Sequence, residues 1–187
     1  MCKDVDNLIK AFTTYVRPML EYCSPVWSPV SSNLGNYVES VQRRFTKRLP
    51  RFCSYGYNER CARLGIERLE LRRLHTDLIM CFKIVHGLVA LQSDSCFTID
   101  HAHISRGHSF KLFLPQSRVN CIKYFFAIRV NNAWNSLSNE IVSTNQLSLF
   151  ENRLRQVDIR KFMVESCSVR SIVLCCVFLC ILCSLFY

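Results

Sequence analysis

Hydrophobic positions recur at helical spacing along most of this chain. Val5, Leu8, Ile9, Phe12 and Val16 follow one another one to four residues apart, and Met19, Leu20 and Tyr22 continue the pattern beyond Pro18. A proline inside a helix removes one backbone donor and crowds the preceding turn. The spacing therefore predicts either one helix kinked at Pro18 or two short ones. Ser24-Pro25-Val26-Trp27-Ser28-Pro29 reads as an extended connector, because a residue before proline is pushed out of the helical region. Ser32 or Asn33 can cap a helix running to about Leu49, with Pro50 just past its end.

Tyr55-Gly56-Tyr57-Asn58 predicts a turn, and Asn58 to Leu64 a short helix stopped by Gly65. A longer helix follows from about Glu67 to His86, with Leu71, Leu74, Leu78, Cys81, Phe82 and Val85 on one stripe and Gly87 as its terminator. Residues 92–118 carry Ser, Asp, His, Gly107 and Pro115 around an alternation of Phe110, Leu112 and Leu114. They predict a loop with a short β element near 108–114. An aromatic-rich helix is expected from about Asn120 to Asn135, and a last one from Gln146 to about Val164. The expectation is an all-α, irregular multi-helix domain over residues 1–165, followed by an apolar, Cys-rich tail helix over 166–187. No fixed-period repeat, βαβ alternation or Gly-rich phosphate loop occurs.

Charge adds the first hint of a partner. Lys and Arg number 24 against 14 Asp and Glu, a net charge of +10. A surplus of that size favours a polyanion, either nucleic acid or an anionic membrane face. Half the residues are hydrophobic and a fifth are charged, which excludes a disordered or fibrous chain. Seven of the twelve Cys (Cys2, Cys23, Cys53, Cys61, Cys81, Cys96, Cys121) are scattered singly, as small buried hydrophobes are. Without a visible secretory signal, a disulfide framework is not the expectation.

The clearest amphipathic segment is the helix ending near Leu49. At about 100° per residue, with Arg43 at zero, Lys47, Arg44 and Arg48 fall near about 40°, 100° and 140°. Leu34, Val38, Val41, Phe45 and Leu49 fall between about 160° and 240°, and Arg51 extends the charge past the helix end. Five cations in nine residues with no acid among them can neutralise several backbone phosphates. Arg43, Arg44, Lys47, Arg48 and Arg51 are therefore the candidate nucleic-acid-binding residues, with RNA or DNA backbone as the partner and no sequence preference. The bland alternative is an ordinary solvated helix face.

Arg129 projects between Ile122, Phe125 and Ala133 on the apolar side of its helix, and a guanidinium there needs a carboxylate or carbonyl partner. A structural ion pair is the expectation. Glu67 and Glu70 with Arg68, Arg72 and Arg73 read as an exposed ion-pair lattice rather than an acid–base pair. Cys96, His101, His103 and His108 have a spacing that could hold zinc, but polar loop residues facing water are the simpler reading. Cys180-x-x-Cys183 lies in an apolar run without His. No catalytic residue, metal site or cofactor is expected, and the sequence has no self-contained active site.

Ser171 to Tyr187 carries no charge. As helix its 17 residues would span about 25 Å, the short limit for a bilayer core. One expectation is a C-terminal anchor with Arg160, Lys161 and Arg170 on the cytoplasmic side, which would make the protein intracellular and membrane-associated through 171–187. The others are a tail packed on the helical core and a non-native extension from a truncated or shifted reading frame.

Several motifs in order resemble one family. Tyr15-Val16-Arg17-Pro18-Met19-Leu20-Glu21-Tyr22-Cys23-Ser24-Pro25-Val26-Trp27 resembles the segment just after the polymerase core of non-LTR (LINE-type) retrotransposon reverse transcriptases. Glu39-Ser40-Val41-Gln42-Arg43-Arg44-Phe45-Thr46-Lys47-Arg48, Tyr57-x-Glu59-Arg60 and Leu69-Glu70-Leu71-Arg72-Arg73 are similar to the same family. So are Lys83-Ile84-Val85-His86-Gly87, Phe125-Phe126-x-x-Arg129-Val130, Trp134-Asn135-x-Leu137 and Phe150-x-x-Arg153-Leu154, with the family's order kept from about residue 7 to 157. The resemblance implies the C-terminal, post-thumb region of an RNA-directed DNA polymerase, with Trp27, Phe125, Phe126, Arg129 and Trp134 as structural motif residues. The missing polymerase core becomes an expected partner. The family's palm aspartates, its endonuclease domain and the Cys–His knuckle of some relatives do not occur here. The chain is therefore not expected to be an enzyme on its own. The alternatives are a tail-anchored membrane protein with a helical cytosolic domain and an inactive remnant.

Overall fold

A computed structural model describes residues 4–29, 32–91, 93–99, 108–113 and 125–163, and over these the protein is all-α. The chain starts with α1 (Val5–Ala11), a π-helical stretch (Phe12–Val16) and α2 (Arg17–Glu21), which run on without a break. Pro18 cannot donate to the turn before it. The stretch resolves this by widening: the Arg17 amide reaches back to the Phe12 carbonyl, and Pro18 lies in the first turn of α2. Of the two expected arrangements the structure has one continuous helical run, with a π turn just before the proline.

Ser24–Trp27 forms one helical turn, α3, where an extended connector was expected. Pro25 sits in its first turn, where a missing N–H costs nothing, and Cys23 takes a left-handed conformation (φ 51°) to redirect the chain. The predicted helices then appear as α4 (Ser32–Arg48), α5 (Tyr57–Leu64) and α6 (Leu69–Val85). Gly65 and Gly87 end the last two with φ of 63° and 65°, a region that favours glycine.

Helix α6 is the hub. It contacts α2, α3, α4 and two later helices, α8 (Phe126–Asn135) and α10 (Leu147–Leu154). Its predicted stripe is the core: Leu74, Leu78, Cys81 and Phe82 are buried against Val130, Ala133, Trp134, Phe150 and Leu154. Phe82 stacks on Phe150 at 4.3 Å between centroids, and Trp134 packs on Phe150 at 6.1 Å. Truncating any of these rings would cost about 3–5 kcal/mol.

Two single-turn helices, α7 (Ser93–Cys96) and α9 (Asn139–Val142), have too few residues to show a period and were not predicted. Helix α8 starts at Phe126 rather than at 120: Phe125 is extended (ψ 148°) and residues 120–124 lie outside the described residues. The last predicted helix is also shorter. After Leu154 the chain turns so that Ile159 enters the core, and a 3-10 turn follows at Arg160–Phe162. The segment 166–187, with its predicted tail helix, lies outside the described residues.

The β element predicted near 108–114 is a single antiparallel bridge between Ile99 and Leu112. Side chains of α8 take the place of a second strand. The Asn135 amide accepts from Leu112 N at 2.9 Å and donates to Leu112 O at 2.8 Å, while Asn131 donates to Phe113 O and the Trp134 indole to Phe110 O. Backbone that would otherwise need a sheet is satisfied by one helix.

Arg129 finds the carboxylate its position demanded. Its guanidinium donates two bonds to buried Asp77 of α6, at 2.9 and 3.0 Å, and one to the Pro25 carbonyl of α3 at 3.1 Å. Burial pushes the Asp77 carboxyl up and Arg129 pulls it back. Removing one partner of a buried pair leaves a charge uncompensated. Arg129→Met or Asp77→Asn should each lose about 3–5 kcal/mol in urea unfolding. The double variant should lose clearly less than the sum of the two. Additive losses would mean the two charges do not meet.

Candidate nucleic-acid interface

The C-terminal half of α4 presents Arg43, Arg44, Lys47 and Arg48 to solvent, and Arg51 follows, also exposed, in the turn beyond. None of the five pairs with a carboxylate among the described residues. Arg51 adopts φ 69°, so the chain leaves the helix sharply while its side chain stays outside.

The opposite face departs from expectation. Leu34 and Val41 are exposed, and Val38 and Phe45 only half-buried, with Phe45 stacked on Phe12 of the N-terminal helix at 4.2 Å. Among the described side chains, Glu39, Gln42 and Thr46 of α4 and Leu49 just past its end are buried, a seam centred about 80° round from the apolar stripe. Three of the four are polar. They are buried because their partners are built into α5 and α6.

Glu39, 2% exposed, is the centre of that seam. Its two oxygens each accept one amide at the start of α6, from Leu69 and Glu70, both at 3.2 Å. These amides open a helix and have no intrahelical acceptor, and the helix dipole adds to the attraction. Arg68, at the capping position, has no capping side-chain bond of its own. Tyr57 donates its hydroxyl to the same carboxylate. Burial first, and the bond to Glu39 second, push the Tyr57 phenol far above its usual range, so the proton stays on tyrosine. Gln42 donates to Tyr57 Oη at 3.0 Å and to the Glu67 carbonyl at 2.9 Å.

A second set of bonds fixes the end of α4. Buried Arg60 of α5 donates from Nε to Thr46 Oγ1 at 3.1 Å and from Nη2 to the Arg43 carbonyl at 3.4 Å. Arg72 pairs with Glu21 of α2, and with Glu67 at 3.8 Å. The expected exposed lattice is therefore only half exposed, and Arg73 is not exposed at all. It is buried on α6 with Nη1 lacking a hydrogen-bond partner among the described residues. Burial pulls its guanidinium below the ordinary value while Glu39, Glu70, Asp77 and Glu21 pull it back.

The other structural motif residues divide. Trp134 is fully buried in the core, and Trp27 is half-buried with its indole donating to the Tyr22 carbonyl. Phe126 packs on Phe97 at 5.8 Å, but Phe125 is exposed and serves through its backbone, whose carbonyl accepts from Arg129 N at 2.9 Å. An extended residue at the head of α8 points its ring outward.

Of the zinc-spaced set, His101 and His103 lie outside the described residues. His108 does not face water as the loop reading expected: it is buried edge-on to Trp134, with Nε2 donating to the Trp134 carbonyl at 3.2 Å. Burial pushes the Cys61, Cys81 and Cys96 thiols up, away from the thiolate a metal or a nucleophile needs. Among the described residues no three His, Cys, Asp or Glu come together as metal ligands, and no helix is long and apolar enough to cross a membrane. The Cys180-x-x-Cys183 pair and the 171–187 segment lie outside the described residues.

The blocks that carry the family resemblance meet in space. Glu39, Gln42 and Thr46 bind Tyr57 and Arg60 on one side and the start of α6 on the other, and Arg129 joins Asp77 to Pro25. No family model, curated protein or solved structure matches the chain.

Burial and nearby Lys111 lower the His108 pKa, partly offset by the bond to Trp134, and burial lowers that of His75. The unfolded chain then binds protons that the folded chain refuses once pH falls below about 6.5. Urea stability should be full above that pH and decline as it falls through the depressed folded values. His108→Gln keeps a donor for the Trp134 carbonyl and should flatten the decline. An unchanged slope in this variant would show that His108 titrates alike in both states.

Proposed function

We propose that this domain holds nucleic acid by its backbone, through the basic end of α4, as an accessory region of a retrotransposon-type reverse transcriptase that lacks the catalytic palm. One observation carries the reading. Several arginines elsewhere in the fold, Arg60, Arg72 and Arg129, are drawn inward and bonded to a carboxylate or a carbonyl. Arg43, Arg44, Lys47, Arg48 and Arg51 stay outside without acids, on a helix fixed by Glu39 and Arg60 from behind. Fixed cations aimed at solvent suit a polyanion, and phosphate contacts position it without reading its bases.

In a full-length relative of the family it resembles, the domain would pack beside the polymerase core and grip template or target strand. Exposed Tyr15 and Met19 on the N-terminal helix supply apolar surface for such packing. The domain supplies no chemistry of its own, because metal-assisted phosphoryl transfer needs carboxylates to hold the ions and the palm aspartates are missing. Primer extension with purified protein and Mg²⁺ should give no template-dependent product, and a product would overturn this part.

Replacing Arg43, Arg44, Lys47 and Arg48 together by Gln removes four charges and leaves the buried seam intact. Binding should weaken strongly at low salt, and the slope of log affinity against log salt should flatten by up to about 3.6 on duplex DNA. Helicity by circular dichroism should hold, since glutamine is a good helix former. Unchanged affinity in the folded variant would return the face to ordinary solvated charge.

A further inference from the structure

The exposed face of α4 carries more than charge. At about 100° per residue Tyr37 lies near about 120°, between Arg44 and Arg48, and Val41 near about 160°. Tyr37, Val41, Arg44 and Arg48 thus form one outward stripe about 16 Å long, with a ring at one end and cations at the other. Tyr37 is 70% exposed, and no aromatic or cationic side chain among the described residues stacks on its ring.

Two guanidinium groups, one on α4 and one on α5, lie over tyrosine rings. Arg43 Cζ lies 5.1 Å from the Tyr57 centroid, and Arg63 Cζ lies 4.0 Å from the Tyr55 centroid. Arg63 is steadied further by Glu59 at 2.9 Å. Both arginines are exposed. A guanidinium ordered on a ring can take a second flat group on its other side.

We infer that the basic face of α4 selects single-stranded nucleic acid, with unpaired bases stacking on Tyr37 and on the planes of Arg43 and Arg63 while Arg44, Lys47 and Arg48 follow the phosphates. The inference rests on the backbone-binding reading and goes beyond it. In a duplex the base faces are already stacked on one another, so the ring and the planes have nothing to meet. A single strand offers both a charged backbone and free base faces. A membrane surface fits less well. An interfacial helix gives its apolar side to the lipid, whereas here Val38 and Phe45 on that side are half-buried, with Phe45 stacked on Phe12.

The test uses fluorescence anisotropy with labelled oligonucleotides of equal length, as single-stranded RNA, single-stranded DNA and duplex DNA, at two salt concentrations. The full chain should bind the single strands about tenfold or more tightly than the duplex. Tyr37→Ala should weaken single-strand binding about tenfold and leave duplex binding, the salt slope and helicity unchanged. Tyr37→Trp should preserve single-strand affinity, and Tyr37→Leu, apolar without a π face, should not. Equal affinity for single strand and duplex, with both lost in the four-Gln variant, would overturn the strand selection and leave the basic face standing. If no oligonucleotide bound in a salt-dependent way, both readings would fall. Tighter, Tyr37-dependent binding to phosphatidylserine vesicles than to any oligonucleotide would assign the stripe to a membrane and overturn the inference.

Discussion

A carboxylate taken out of water must be matched by donors, and Glu39 meets that demand in only one arrangement of helices. Its two oxygens receive the first amides of α6 and the Tyr57 hydroxyl, so α4, α5 and α6 come to one point. Each missing donor would leave a buried charge costing several kcal/mol, which makes shifted packings of α4 expensive. From that point the rest follows outward. Gln42 locks Tyr57 and the Glu67 carbonyl, Arg60 locks the end of α4, and α6 carries the apolar core on its other side.

The same constraint decides which cations remain available. Arginines that contribute to the fold are matched inside it, Arg129 by Asp77 and Arg72 by Glu21. Those on the free side of α4 are held in place by a network behind them, so the helix need not be reordered when a polyanion arrives. A preorganised charged face loses less conformational entropy on binding than a flexible basic tail. The buried polar seam and the exposed basic face are two sides of a single helix.

How far the sequence was readable depended on where each partner lies. The stripe of α6 was legible because Leu74, Leu78, Cys81 and Phe82 are apolar at helical spacing and are buried together. The buried side of α4 was not, because periodicity weighs apolar residues and this seam is Glu39, Gln42 and Thr46, whose partners sit on other helices. For Arg129 the need for a partner could be read from its apolar neighbours, but not that Asp77 and the Pro25 carbonyl supply it. Proline misled at Ser24-Pro25, since it is tolerated in a first helical turn. The exposure of Arg43, Arg44, Lys47 and Arg48 followed from angles alone, whereas the stacking of Arg43 on Tyr57 needed the turn between α4 and α5.

Amide hydrogen exchange at Leu69 and Glu70 tests the central role of Glu39 most directly. As the first residues of α6 they have no acceptor within the helix, so without Glu39 their amides would exchange quickly in the native state. With the carboxylate bound to both, they should be protected to nearly the level of core amides such as Leu78 and Phe82. In a folded Glu39→Ala variant that protection should vanish while the core amides remain slow. Rapid exchange at Leu69 and Glu70 in the native protein, with the core protected, would contradict the account.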